Sequence, residues 1–218
     1  MANLKNRMSV TAVVPVYNEG KTIGGILKIL TTHDKIKNVI VVDDGSTDAT
    51  PSIIKEYNVK IKTIRKNRGK GNAVRVGAEK INSDVILLVD GDLINLNRWH
   101  IDKMIAAMKD DVAMVIGLRD KGNIISDLIM PYFPLTGGER VIKTGVFNEI
   151  RKVPLTEGWG LETVMNDYCR KKKLKIAKVK LDGLDHIGLQ TKKYGLYSFI
   201  KECYDVAKTK IRLWKVRY

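Results

Sequence analysis

Short, largely apolar runs alternate along this chain with stretches in which apolar residues recur at helical spacing. Val10–Val16, Val39–Val42, Val85–Val89 and Val112–Ile116 are rich in valine and isoleucine. Such brief, β-branched runs, without polar alternation, read as strands of a parallel sheet covered on both faces. Helical stretches follow from about Lys21 to Leu30, from the Asp43–Asp48 turn to about Tyr57, and from the Arg68–Ala73 turn to about Lys80. Strand followed by helix, repeated, predicts one α/β domain. The first three strands each end in polar residues: Tyr17-Asn18-Glu19, Asp43–Asp48 and Asp90-Gly91-Asp92. In open α/β sheets, ligands bind at that edge.

Asp90 and Asp92 stand one residue apart where an apolar run breaks into a turn. Residues i and i+2 of an extended chain point to the same side, so both carboxylates can face one point. Hard divalent cations such as Mg²⁺ or Mn²⁺ take such oxygen ligands and complete their shell with substrate phosphates. Asp and Gly are also ordinary turn residues, so the tripeptide gains meaning only from the second acidic turn, Asp43–Asp48, after its own buried strand.

Four motifs stand in order: Val14-Pro15-Val16-Tyr17-Asn18-Glu19, Val42-Asp43-Asp44-Gly45-Ser46, Asn67-Arg68-Gly69-Lys70-Gly71 and Val89-Asp90-Gly91-Asp92. Together they resemble the nucleotide-binding half of family-2 glycosyltransferases, nearest the polyprenyl-phosphate (dolichol-phosphate) mannosyl- and glucosyltransferase branch. The resemblance is specific over roughly residues 10–120 and looser to about 195. It implies a GT-A fold, a Rossmann-like three-layer sandwich around a mostly parallel sheet. It further implies a nucleotide-sugar site made by Pro15, Tyr17, Glu19, Val42, Asp44, Lys70, Asp90, Gly91, Asp92 and Arg119. Of these, Pro15, Tyr17, Glu19, Val42 and Asp44 would border the nucleoside, and Lys70 and Arg119 the phosphates. Asp90 and Asp92 would hold Mg²⁺ or Mn²⁺. From the residues themselves, Asp43 orients its turn and Asp48 caps the following helix.

The second half, by the same resemblance, builds the acceptor side. Thr136-Gly137-Gly138-Glu139-Arg140 resembles a small-residue turn that lets the acceptor approach, with Gly138 and Arg140 as acceptor-binding residues. A guanidinium suits phosphate or carboxylate; the plain alternative pairs Arg140 with Glu139 or Glu149 on the surface. Gly158-Trp159-Gly160-Leu161-Glu162 resembles an element that opens a helix and offers Glu162 as catalytic base or positioning group. Its plain role is a helix N-terminal acid, and Asp167 is the second candidate. His186, after the short strand predicted at Lys178–Leu181, falls where many GT-A enzymes supply a histidine to the metal, which makes the ligand set Asp90, Asp92 and His186.

Charge changes the picture of the partner. Lys and Arg number 39 against 24 Asp and Glu in 218 residues, a net charge of +15. The surplus gathers at Arg170–Lys173, at Lys192-Lys193 and in the tail from Lys201 to Arg217. Such a field attracts nucleic acid, anionic lipid or an anionic substrate. No helix-turn-helix, zinc-finger or RNP pattern is present, which argues against nucleic acid. Leu196, Ile200, Cys203, Ala207, Ile211 and Trp214 recur at helical spacing, so residues 196–218 form a basic amphipathic helix, read as part of the same domain as 1–195. It either packs its stripe on that domain or lies in a headgroup layer. Two cysteines make no disulfide framework, and no run nears the roughly 20 apolar residues of a spanning helix. A cytoplasmic location is expected, with possible peripheral contact at the inner membrane face. Three functions compete: transfer of a hexose from a nucleotide-sugar to polyprenyl phosphate, the same transfer to a small acid such as 3-phosphoglycerate, and a sugar-phosphate nucleotidyltransferase. The last would want a Gly-rich, arginine-bearing loop after the first strand, where Tyr17-Asn18-Glu19 stands.

Overall fold

The computed structural model describes residues 8–119, 138–153 and 160–187, together with 204, 207–209 and 211–213. Its strands are β1 (Val10–Val16), β2 (Ile36–Asp43), β3 (Lys60–Thr63), β4 (Val85–Leu88), β5 (Leu93–Ile94), β6 (Val112–Arg119), β7 (Arg140–Lys143), β8 (Lys175–Leu181) and β9 (Asp185–His186). The helices are α1 (Ile23–Thr31), α2 (Thr50–Ile54), α3 (Lys70–Gly77), α4 (Arg98–Ala107), α5 (Thr144–Ile150) and α6 (Gly160–Lys171). Seven strands form one sheet in the order β3-β2-β1-β4-β7-β6-β8, and β5 pairs with β9 in a second, small one. Among the described residues, only β7 runs against its neighbours in the large sheet.

Every residue of β1 is buried, as expected for a central strand covered on both faces. Alternation divides its side chains: Ala12, Val14 and Val16 join the core under α1 and α4, whereas Val13 joins the core under α3, α5 and α6. β4 does the same, sending Val85 and Leu87 one way and Ile86 and Leu88 the other. The result is three layers. In α1, Ile23, Ile26, Leu27 and Leu30 form the buried stripe, spaced as a helix requires. The chain leaves β1 toward β2 on one side and reaches β4 on the other, so the β1/β4 boundary is a topological switch point, where a crevice opens.

Several elements depart from the sequence reading. α2 stops at Ile54, short of Tyr57, and α3 stops at Gly77, short of Lys80. The outer strands carry exposed lysines, Lys60 on β3 and Lys175, Lys178 and Lys180 on β8. In the C-terminal stretch, Thr209 and Leu213 are buried and Lys171 Nζ donates to the Leu213 carbonyl at 2.8 Å. Ala207 and Ile211, members of the predicted stripe, are exposed instead. Leu196, Ile200, Cys203 and Trp214 lie outside the described residues. No helix among the described residues is long and apolar enough to cross a membrane.

Candidate active site

Two loops at the carboxyl ends of β1 and β2 are stitched together before any ligand is considered. Asn18 adopts a left-handed φ of 57°, which asparagine tolerates. Its side-chain oxygen accepts from Thr47 N–H at 2.8 Å, and its own N–H donates to Ser46 Oγ at 3.0 Å. Glu19 N–H donates to Thr50 Oγ1 at 2.8 Å and Gly20 N–H to Asp48 Oδ2 at 3.1 Å. The other Asp48 oxygen accepts from Thr50 N–H at 2.9 Å, at the start of α2. Asp43 holds its turn through Ser46 N–H at 2.9 Å. Asp44 accepts from the backbone N–H of Arg68 at 3.0 Å and of Gly69 at 2.7 Å, which ties the Lys70 loop to the same edge.

These loops wall a cleft of about 230 Å³. Of the ten residues assigned by resemblance to the nucleotide-sugar, nine line it, and so does His186. Val42 is the exception. Its side chain is fully buried in the core with Ala73 and Val74, where Gly77 of α3 packs over it. Gly91 lets the ends of β1 and β4 meet, since a Cβ there would come within 2.7 Å of Val16 and 3.1 Å of the Pro15 carbonyl. Thr22 Oγ1 donates to the Gly91 carbonyl at 2.6 Å and fixes the turn between the two aspartates.

Lys70 is the hub. Its ammonium lies 2.7 Å from Asp90 Oδ1 and 2.8 Å from Glu162 Oε1, joining the α3 N-terminus to the ends of β4 and α6. Burial would lower the Lys70 pKa, but the Asp90 and Glu162 carboxylates outweigh it and hold the group charged well above its ordinary value. Burial likewise opposes ionisation of Asp90, yet Lys70 draws its carboxyl below the usual range. Asp92 goes the other way, raised by burial and by the neighbouring Asp90 charge. Gly138 packs directly on this pair: a Cβ would collide with the Asp90 carboxylate and the Lys70 ammonium.

β9 delivers His186 through its pairing with β5, Leu93 opposite His186, and the Ile187 N–H donates to the Asp92 carbonyl at 3.0 Å. Burial and the Arg119 charge depress the His186 pKa, which favours the neutral, metal-ligating imidazole. Among the described residues no three His, Cys, Asp or Glu side chains form a ready-made ion cage. The set Asp90, Asp92 and His186 is therefore brought together without being preassembled, with Asp90 drawn onto Lys70. Its chemistry still fits a hard divalent ion. Asp90, Asp92, Glu139, Glu162 and Asp185 outnumber the permanent cations Lys70, Arg119 and Arg140 that share their field. An ion completed by substrate phosphates matches that surplus.

Arg140 is not the open fork that the resemblance implies, nor the surface ion pair of the plain reading. It is fully buried, and its Nη1 donates to Asn166 Oδ1 on α6 at 2.7 Å. Adjacent residues of an extended strand face opposite ways, so Glu139 turns to the other face, where Arg119 Nε lies 3.5 Å from its Oε2. Sequence reasoning missed Glu139 as part of the site; strand alternation was the available signal. Asp167 is paired with Arg170 and Lys171 at 2.5 and 3.1 Å on α6, away from Lys70. Thr136, Gly137, Gly158 and Trp159 lie outside the described residues.

The Glu139 carboxyl is pushed from 4.5 up to about 7 by burial and by the Asp90 charge. The folded state then binds more protons than the unfolded chain between those values, so stability falls as pH rises toward and past 7. The depressed histidines His33 and His186 pull the other way just above their ordinary 6.5, where the unfolded chain still binds protons that the folded one does not. Compared with Glu139→Gln, in which the histidine contributions are the same, the metal-free native protein should lose about 1 kcal/mol more between pH 6.5 and 8, or about 2–4 °C in Tm. Thermal melts of Glu139→Gln should lack most of that slope; an unchanged slope would place the titration elsewhere.

Comparison with known proteins gives the chain its family and its fold. The profile of glycosyl transferase family 2 matches residues 11–169. Glycosyltransferase AglJ of Haloferax volcanii is 26% identical over 191 residues, which cover 78% of this chain and 61% of that protein. The dolichyl-phosphate beta-glucosyltransferase of Dictyostelium discoideum is 30% identical over 140 residues, 55% of this chain and 42% of that protein. In three dimensions, glucosyl-3-phosphoglycerate synthase of Mycobacterium tuberculosis, solved with Mn²⁺, UDP and glucosyl-3-phosphoglycerate, superposes with a TM-score of 0.77. That likeness covers 97% of this chain and 81% of the other at 20% identity, and it identifies the fold as GT-A. With four strand-end motifs meeting at one cleft and the family profile spanning most of the domain, the chain belongs to glycosyl transferase family 2.

Proposed function

We propose that the chain transfers a hexose from a nucleoside-diphosphate sugar to an anionic acceptor, polyprenyl phosphate, with Mg²⁺ or Mn²⁺ held by Asp90 and Asp92 and His186 beside them. The observation that carries this reading is the Lys70 bridge between Asp90, at the donor cleft, and Glu162, at the head of α6. It ties a candidate phosphate-side carboxylate to a candidate acceptor-side carboxylate through one cation. Family membership speaks against the nucleotidyltransferase alternative.

In this reading Pro15, Glu19 and Asp44 border the nucleoside, with Tyr17, 44% exposed, at the mouth of the cleft. Lys70 and Arg119 neutralise the diphosphate. A bound divalent ion would supply Lewis-acid stabilisation of the departing diphosphate. Glu162 faces the acceptor, deprotonating a hydroxyl or, for an acceptor already ionised, positioning it. Gly138, which the resemblance assigns to the acceptor, is buried against Asp90 and Lys70 and does not line the cleft.

A second reading, with a small acid such as 3-phosphoglycerate as acceptor, is supported by the structural likeness to a synthase that makes glucosyl-3-phosphoglycerate. What favours the lipid acceptor is the C-terminal stretch. Tyr204 and Ile211 are 63% and 65% exposed, with Lys208 over the Tyr204 ring at 5.8 Å and Arg212 exposed nearby. Aromatic and aliphatic side chains among basic ones suit a headgroup layer. Each Lys or Arg near an anionic leaflet contributes about 1 kcal/mol. The full chain should co-sediment with anionic vesicles at low salt and release as salt shortens the screening length to about 10 Å at 0.1 M. It should also glycosylate polyprenyl phosphate. If it binds no vesicles and 3-phosphoglycerate accepts sugar readily, the soluble-acceptor reading replaces this one.

A further inference from the structure

We propose that Glu139 is the residue that aims Arg119 at the anionic end of the donor, an assignment that rests on reading the cleft as a nucleoside-diphosphate-sugar site. Arg119 lines the cleft and Glu139 does not. Glu139 is 2% exposed and lies behind Arg119, so it acts through the arginine and touches no ligand.

The backbone holds the two in register. Glu139 carbonyl accepts from Gly117 N–H at 2.9 Å, and Arg119 lies two residues farther along β6, on the same face. Gly117 makes the room: a Cβ there would approach Glu139 Cβ at 3.2 Å and collide with Leu181. The Glu139 side chain therefore occupies space that the neighbouring strand leaves clear, directed along β6 toward Arg119.

The pairing is also one-sided. The contact runs through Arg119 Nε at 3.5 Å, a charge contact at the limit of hydrogen bonding. Neither Glu139 oxygen, and not Arg119 Nη1, has a hydrogen-bond partner among the described residues. A carboxylate beside Nε fixes the plane of the guanidinium, and with it the donors that Arg119 presents to an anion in the cleft. Without that anchor, the cation has Asp90, Asp92 and Asp185 as competing partners within its field. Turned onto them, it would be withdrawn from the diphosphate.

The test is a binding cycle at pH 8 with Mn²⁺, by isothermal titration of UDP, GDP and dTDP and of the phosphate-free nucleosides. The proteins are the native chain, Glu139→Gln, Glu139→Asp, Arg119→Gln and the Arg119→Gln/Glu139→Gln double variant. Loss of a group that orients a metal ligand typically costs about 10–100-fold, and the same scale is expected for one that orients Arg119. Glu139→Gln should weaken the diphosphate by about that factor and leave nucleoside binding unchanged. In the Arg119→Gln background the same change should add nothing, because its route to the ligand is gone. If Glu139→Gln does not fold, Glu139→Asp, which keeps the charge but withdraws it by one methylene, carries the same comparison. Native-like diphosphate affinity in the Glu139 variants, equal loss of nucleoside binding, or a loss that persists undiminished without Arg119 would each overturn the proposal. A native chain that binds none of the three diphosphates would instead overturn the reading of the cleft, and the role of Glu139 with it.

Discussion

Asp92→Ala should abolish metal-dependent transfer while the protein stays folded. The carboxyl of Asp92 is raised by burial and by repulsion from Asp90, so its removal relieves an unfavourable charge in the metal-free state. Asp90 is different, because it pairs with Lys70, and its loss would take away one of the carboxylates that hold that ammonium. Lewis-acid stabilisation of a departing diphosphate is worth several kcal/mol, and each 1.36 kcal/mol is tenfold in rate. Turnover should therefore fall by about 10³-fold or more, with a Tm at or above that of the native chain. Transfer rates across a Mn²⁺ titration, paired with melts, decide the matter. Full activity in EDTA, or an undiminished variant, would remove the metal from Asp92.

Glu162→Gln should separate chemistry from binding. Glu162 is buried in the first turn of α6, and only one of its oxygens is held by Lys70. Glutamine keeps the shape and one acceptor oxygen, but it cannot take a proton. General-base contributions are about 10²–10⁴-fold, so kcat should fall by that range while nucleotide affinity changes little. Were Glu162 merely an acid at a helix N-terminus, the change would cost about 0.3–1 kcal/mol of stability and leave kcat near native. A loss confined to nucleotide affinity would place Glu162 on the donor side.

Most of the strands that the sequence disclosed are those whose burial is complete; part of β8 was legible instead from the alternation of Lys178 to Leu181. β1, β4 and the buried end of β2 have no polar alternation to confuse them, and their apolar runs can serve no other purpose in a polar solvent. β3 went unread because Lys60-Ile61-Lys62-Thr63 is an outer strand with three exposed residues and offers no apolar run. β5 and β9 are two residues each, and tertiary pairing alone makes them strands. α4 is opened by an unusual reciprocal cap, Asn97 with His100, whose ring then bonds the Asp182 carbonyl at 2.9 Å. The common Ser/Thr-to-Glu signal is absent there.

The site was legible wherever a motif sits at a strand end, since chain order alone brings those ends to one edge. What stayed hidden are links between distant segments: Lys70 with Glu162, and Glu139 with Arg119. Each includes a buried polar group that composition would place on the surface. Arg140 shows the same limit from the other side. Its charge suggested a ligand, but its place on β7, between β4 and β6, puts it inside the protein.

The lysines on β3 and β8 bear on a different property, the end of the sheet itself. An outer strand presents unpaired N–H and C=O groups to any other chain, and charged side chains there are a standard guard against such pairing. Lys60 at one border, with Lys175, Lys178 and Lys180 at the other, would meet like charge on a second copy approaching edge to edge. Part of the surplus of +15 thus works against pairing of the described sheet with a second copy, a task separate from drawing in an acidic partner.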